Sequence, residues 1–147
     1  NAQTAAPVLP VTGTFTYTAI GGTNPTDSNG GQGVWSAGTT SLTANFTAQT
    51  INTSVNATVG ANTWSATANN IPIQAGGSFI AGKGGNLNNL NVTSSIAGAT
   101  TAGVIKGQFT GSSVVGNAGA MVGYSLSATP ANPALAVTMS GATAFRK

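Results

Sequence analysis

The chain has 147 residues, of which 40% are hydrophobic and only 3% charged, with four Lys or Arg, one Asp or Glu, no His and a net charge of +3. That length suits one domain with a core of its own, and the absence of Cys rules out disulfides. A charged fraction so far below the roughly 25% of ordinary domains excludes a highly charged disordered chain and leaves one that folds.

Residues 1–10 read as a Pro-punctuated tail or linker, and residues 11–147 as one β-domain. The opening NAQTAAPVLP reads as a mature N-terminus left after removal of a leader. From residue 11 a period of two sets in. VTGTFTYTAI turns Val11, Gly13, Phe15, Tyr17 and Ala19 to one face and four threonines to the other. β-Branched threonine suits a pleated, half-wet surface.

GGTNPTDSNGGQG, Gly21 to Gly33, is a long loop with Asn-Pro and Asn-Gly turn signals. TSLTANFTA then sets Leu42, Ala44, Phe46 and Ala48 inward. INTSVNATV does the same with Ile51, Val55, Ala57 and Val59, and TWSATA with Trp64, Ala66 and Ala68. AQT and GAN between them are short enough for antiparallel hairpins. Pro72 in IPI has no N–H to donate, so it breaks a strand or marks an edge. AGKGGNLNNLN is a second loose crossing, which places Lys83 in a glycine loop, and SFIAG, LNVTSSI and ALAVTMSGATAF are further strands.

The segment from Gly103 to Leu126, GVIKGQFTGSSVVGNAGAMVGYSL, alternates like a strand yet carries a glycine every few residues. Ile105, Gly107, Phe109 and Gly111 share one face, and Val122, Tyr124, Leu126 and Ala128 point inward from the next strand. Glycine weakens a flat strand by roughly 0.5–1 kcal/mol relative to Ala. Its use here is geometric: it lets strands coil or bulge as a sheet closes and leaves room beside Phe109. No segment holds a capped 3.6 period. The expected fold is all-β, an antiparallel up-and-down barrel of about eight strands, with a β-sandwich as the alternative.

GQFTG followed by AMVGYSL resembles the Gly-x-Phe-x-Gly signature of the small barrels in transferrin-binding lipoproteins and related surface proteins. Gly107, Phe109 and Gly111 match it, whereas Val114-Val115-Gly116 stands where that family has Ala-x-Glu. AIGGTNPTDSNGGQG and the closing SGATAFRK are similar to the β-rich C-terminal regions of some envelope proteins with an iron-dicitrate-sensor (FecR-type) domain. The resemblance implies an up-and-down barrel of roughly eight strands from a bacterial envelope or surface protein. It transfers no ligand, because fold does not fix function.

For catalysis the inventory is nearly empty. Acid–base work draws on His, Glu, Asp, Cys or Lys, and this chain offers Asp27 and scattered lysines. Two carboxylates for a glycosidase, a His for a triad and a zinc ligand set are all missing. Asp27 in NPTDSNGG reads as a turn-holding residue. AGKGGN lacks phosphate-loop spacing, and haem would have to use Tyr17, Tyr124, Met121 or Met139, which read as core. No enzyme, cofactor or metal is expected. Nucleic acid is not an expected partner either. Lys83 and Lys106 stand alone, and Arg146-Lys147 reads as a solvated tail. Asn45, Asn52, Asn56 and Asn91 each begin an Asn-x-Ser/Thr triplet, as chance supplies in so Asn- and Thr-rich a chain.

The polar residues are mostly Thr, Ser, Asn and Gln, as in secreted and surface β-proteins, so an extracytoplasmic bacterial site is expected. With bulky residues inside and Thr, Ser and Asn outside, the barrel is not expected to span a membrane. Sheets guard exposed edges with charge or closure, and this chain has almost no charge to use. The expected role is structural or in assembly, as a subunit contacting copies of itself, for instance in a filament, or an envelope protein. Ala6, Pro7, Val8, Leu9, Pro10 and Val11 form a candidate assembly strand that would pair with a neighbour. The alternative is a barrel binding a ligand or host protein in iron acquisition or envelope sensing.

Overall fold

A computed structural model describes residues 9–111 and 118–147. Among them there is no α-helix, only a short 3₁₀ turn at Pro133–Leu135 capped by Asn132. The eight longer strands are β1 (Thr14–Gly22), β3 (Thr40–Asn45), β4 (Thr50–Val59), β5 (Asn62–Pro72), β6 (Ser78–Gly84), β9 (Thr100–Thr110), β10 (Gly119–Thr129) and β11 (Val137–Arg146). Three short ones, β2 (Thr26–Asp27), β7 (Leu87–Asn88) and β8 (Asn91–Ser94), lie among them. All pairings are antiparallel and make one sheet in the order β7-β6-β9-β10-β11-β1-β3-β4-β5-β8, with β2 on β11. The sheet is strongly curled, a half-barrel, and it is not a two-sheet sandwich.

The inward phase of every long strand is the one that period-2 alternation dictates. Tyr17, Leu42, Ala44, Phe46, Ile51, Val55, Val59, Trp64, Ala66 and Ala68 are all buried, as are Ile105, Phe109, Val122, Tyr124, Leu126 and Ala128 across the sheet. Ala48 departs from the pattern, being exposed in the β3–β4 turn. Burial of this kind is the main favourable term, worth about 1.5–3 kcal/mol per large side chain.

Curling does not produce a continuous ladder. β5 and β6 follow one another in the chain but do not pair. The segment after β6 bridges them instead. β7 pairs with β6, Asn89 and Leu90 donate their amides to the Gly82 carbonyl at 3.0 and 3.1 Å, and β8 pairs with β5. Leu90 and Val92, both buried, fill this seam from inside. Thr101 Oγ1 donates to the Val92 carbonyl at 2.7 Å and ties β8 to β9. Lys83 lies within β6 rather than in a glycine loop, and its Nζ donates to Thr101 Oγ1 at 2.7 Å.

The inward glycines of β9 and β11 have a specific use. Gly107 faces Phe79 of β6 in register, and a Cβ there would lie 2.0 Å from the Phe79 ring. Gly103 faces Leu126 and Gly141 faces Tyr124 in the same way. Each glycine is a gap that a large neighbour on the next strand fills. The space beside Gly107 thus belongs to Phe79 rather than to Phe109, which corrects the expectation that it frees the Phe109 ring. Phe109 is instead the hub of an aromatic cluster. Its ring lies 5.5 Å from each of Tyr17, Phe46 and Phe79, tilted as ring quadrupoles prefer. The interior at that end is filled by side chains.

Candidate functional site

The long loop after β1 is held down at many points. Asp27 Oδ1 accepts from the amides of Asn29 and Gly31 at 3.0 and 2.7 Å, so this carboxylate organises its own turn as expected. Further along, the Trp35 amide donates to Asn24 Oδ1 at 2.8 Å. Its indole Nε1 reaches Thr143 Oγ1 at 3.1 Å, and Thr143 in turn bonds Thr40 Oγ1 at 2.9 Å in the buried interior. Gly33 lets the loop press on β4, because a Cβ there would lie 2.3 Å from the Thr58 carbonyl. The loop thereby walls a groove of about 890 Å³ against the outer faces of β4, β5 and β8.

The groove floor is a grid of small polar side chains. Asn56, Ser65 and Thr93 stand side by side on three adjacent strands, and Thr58 and Thr63 on two of them. This grid continues across the sheet. Outward positions on β1 (Thr14, Thr16, Thr18), β3 (Ser41, Thr43, Asn45) and β4 (Asn52, Ser54) are again hydroxyls and amides. No charged residue lines the groove.

The outward side of β9, β10 and β11 is different. Val104, Met121, Gly123 and Ala142 lie with Gln108 and Ser125 around the exposed Lys106, in two shallow hollows of about 290 and 360 Å³. Met121 is 49% exposed, so it is a surface residue rather than the core residue that a strand methionine usually is. Ile20 of β1, beside the bulge after Ala19, is 56% exposed and extends the same surface. Arg146 is the last residue of β11, not part of a free tail. The Lys147 ammonium lies 3.8 Å above the Phe15 ring, a cation–π contact that closes the end of the sheet.

The other residues singled out in the sequence fall in separate places. Gly107 and Phe109 lie together inside, while Gly111 follows β9 with a left-handed φ of +71° and is exposed. Of the candidate assembly strand, Ala6, Pro7 and Val8 lie outside the described residues, as do Val114, Val115 and Gly116. Leu9 packs partly against the chain's own core, Pro10 is half-buried and Val11 is 81% exposed. Met139 is fully buried. Tyr17 and Tyr124 are buried too, and burial pushes both phenols above their ordinary pKa. The Tyr124 hydroxyl and the Trp64 indole N–H find no hydrogen-bond partner among the described residues.

The described residues hold no group of three or more His, Cys, Asp or Glu that could bind a metal. Among the described residues no helix is long and apolar enough to cross a membrane. No protein-family description, curated protein or solved structure matches the chain. Sequence reasoning missed the Trp35–Thr143–Thr40 chain. Its only local signal was a Trp in a loop otherwise built of small residues.

Proposed function

We propose that this chain is a non-enzymatic structural domain of the bacterial cell exterior that works by associating with copies of itself or with an envelope protein. The observation that carries the reading is the β9–β10–β11 outer surface. It sets exposed Met121 and the small residues Gly123 and Ala142 among Lys106, Gln108 and Ser125, and its small residues let another backbone approach closely. Apolar surface left in the open is a recurrent mark of an interaction site.

Charge sets the geometry of that association. Lys106 stands in the middle of the surface, and the chain's one side-chain carboxylate, Asp27, is engaged in its own turn. A two-fold contact of this surface with itself would set Lys106 against Lys106 with no carboxylate to relieve it. Association is therefore head-to-tail, this surface against a different face of the next copy, which builds open chains rather than closed dimers. The non-enzymatic reading rests on the residue inventory, and the extracytoplasmic one on a polar set built from Thr, Ser and Asn.

The test is electron microscopy and sizing of the purified chain at rising concentration. Filaments or concentration-dependent growth in size support the proposal, and a particle that stays monomeric at high concentration sinks it. The iron-acquisition alternative rests on the resemblance around Gly107, Phe109 and Gly111. The rings around Phe109 occupy the space where an internal ligand cup would lie, so such binding would fall to the outer loops.

A further inference from the structure

We infer that the groove between the 32–39 loop and the outer faces of β4, β5 and β8 binds a neutral polyhydroxylated chain, an uncharged oligosaccharide. Its size falls within the range of small-molecule sites, roughly 300–1,000 Å³. The wall is preformed, since the loop is pinned through Trp35 and Gly33 before any ligand arrives.

Lining chemistry selects the ligand class. A phosphate or carboxylate would lose water and meet no cation, which is costly. An apolar ligand would strip water from rows of hydroxyls and leave them unpaired, which is costly as well. A neutral sugar matches groups that both donate and accept. Asn56 Oδ1 already accepts from Ser65 Oγ at 3.1 Å, which fixes the amide and leaves its Nδ2 to donate outward. The hydroxyls of Thr58 and Thr93 make no hydrogen bond among the described residues. Asn56, Ser65 and Thr93 repeat at the strand spacing of about 4.8 Å, a periodic row for a ligand whose hydroxyls also repeat. Val34, 83% exposed at the rim, offers an apolar contact for a sugar ring face.

The experiment is saturation-transfer NMR with the intact chain and neutral tetrasaccharides (cellotetraose, maltotetraose and N-acetylated chitotetraose), with tetragalacturonate as the acidic probe. At least one neutral probe is expected to bind. Asn56→Ala and Thr93→Ala should each weaken it by about tenfold, the worth of one or two hydrogen bonds. Thr16→Ala, on the same sheet but outside the groove, should leave it unchanged. Melting curves of all three variants confirm that these exposed positions leave the fold intact. Absence of binding by every neutral probe at millimolar concentration overturns the inference. So does equal binding of the acidic probe, or binding that survives both groove substitutions. Loss of self-association in Asn56→Ala without any sugar binding also overturns it, by assigning the groove to a second copy.

Discussion

The two sides of the sheet are built differently. β3, β4 and β5 contain no glycine, and their outward positions are almost all hydroxyls and amides. β6, β9, β10 and β11 each carry at least one glycine, and their outward side mixes small apolar residues and Met121 with Lys106, Arg146 and polar residues such as Gln108, Ser125 and Ser140. Both sides obey the same inward alternation, so folding alone does not require the difference. Inside, the glycines make room for Phe79, Leu126 and Tyr124, which cross from neighbouring strands. Outside, Gly123 leaves room for the shallow hollows beside Lys106. The glycine-free side presents water with a uniform polar grid.

The sharpest way to break this contrast is to empty or overfill the glycine side. Phe109→Ala removes the hub of the aromatic cluster and is expected to cost about 3–5 kcal/mol in a urea titration. Gly107→Ala would drive a methyl group into the Phe79 ring, itself held against Phe109, and should cost about 2–3 kcal/mol. If Gly107→Ala is neutral, the gap is not a packing device and the contrast loses its interior half.

Thr143→Val sharpens the join between the two sides. It removes the partner of both Thr40 Oγ1 and Trp35 Nε1, leaving a buried hydroxyl on β3 unpaired. The expected loss is about 1–3 kcal/mol, with Trp35 fluorescence shifted as the loop loosens. Val-like stability here would mean the loop is held by its backbone contacts alone.

Smaller effects come from the tyrosines. Tyr17 and Tyr124 have raised pKa values because they are buried. The native state therefore keeps its phenol protons to higher pH than the unfolded chain does. Stability is whole below the ordinary tyrosine value of about 10 and falls as pH rises through the native values. Tyr124→Phe should remove part of that alkaline loss. At neutral pH it should change stability by less than about 1 kcal/mol, in the direction of a gain, since the lost hydroxyl has no partner among the described residues.

Strand phase was legible in the sequence because side-chain direction is fixed locally, residue by residue, along an extended chain. The same locality explains Asp27, whose partners are two and four residues away. What escaped are relations across the fold. Thr40 and Thr143 are 103 positions apart, and nothing near either announces the other. Lys83 looked like a loop residue because its neighbours are glycines, yet β6 runs through them to pair with β9. Met121 looked like core because methionine usually is, although alternation with Val122 and Tyr124 already pointed it outward. The seam between β5 and β6 was hidden for a similar reason. A period of two says which way a side chain points, not which strand lies beside it.

The central claim is that the glycine side of this sheet joins copies together while the hydroxyl side does not depend on such contact. Sedimentation velocity of the wild type, Met121→Lys and Thr16→Lys over a wide concentration range tests it most directly. Both substitutions add one cation at an exposed position and should change stability by no more than about 0.5 kcal/mol. The account predicts concentration-dependent association of the wild type and Thr16→Lys, and a monomer for Met121→Lys. Association that survives Met121→Lys undiminished, or a wild type that never associates, would contradict it.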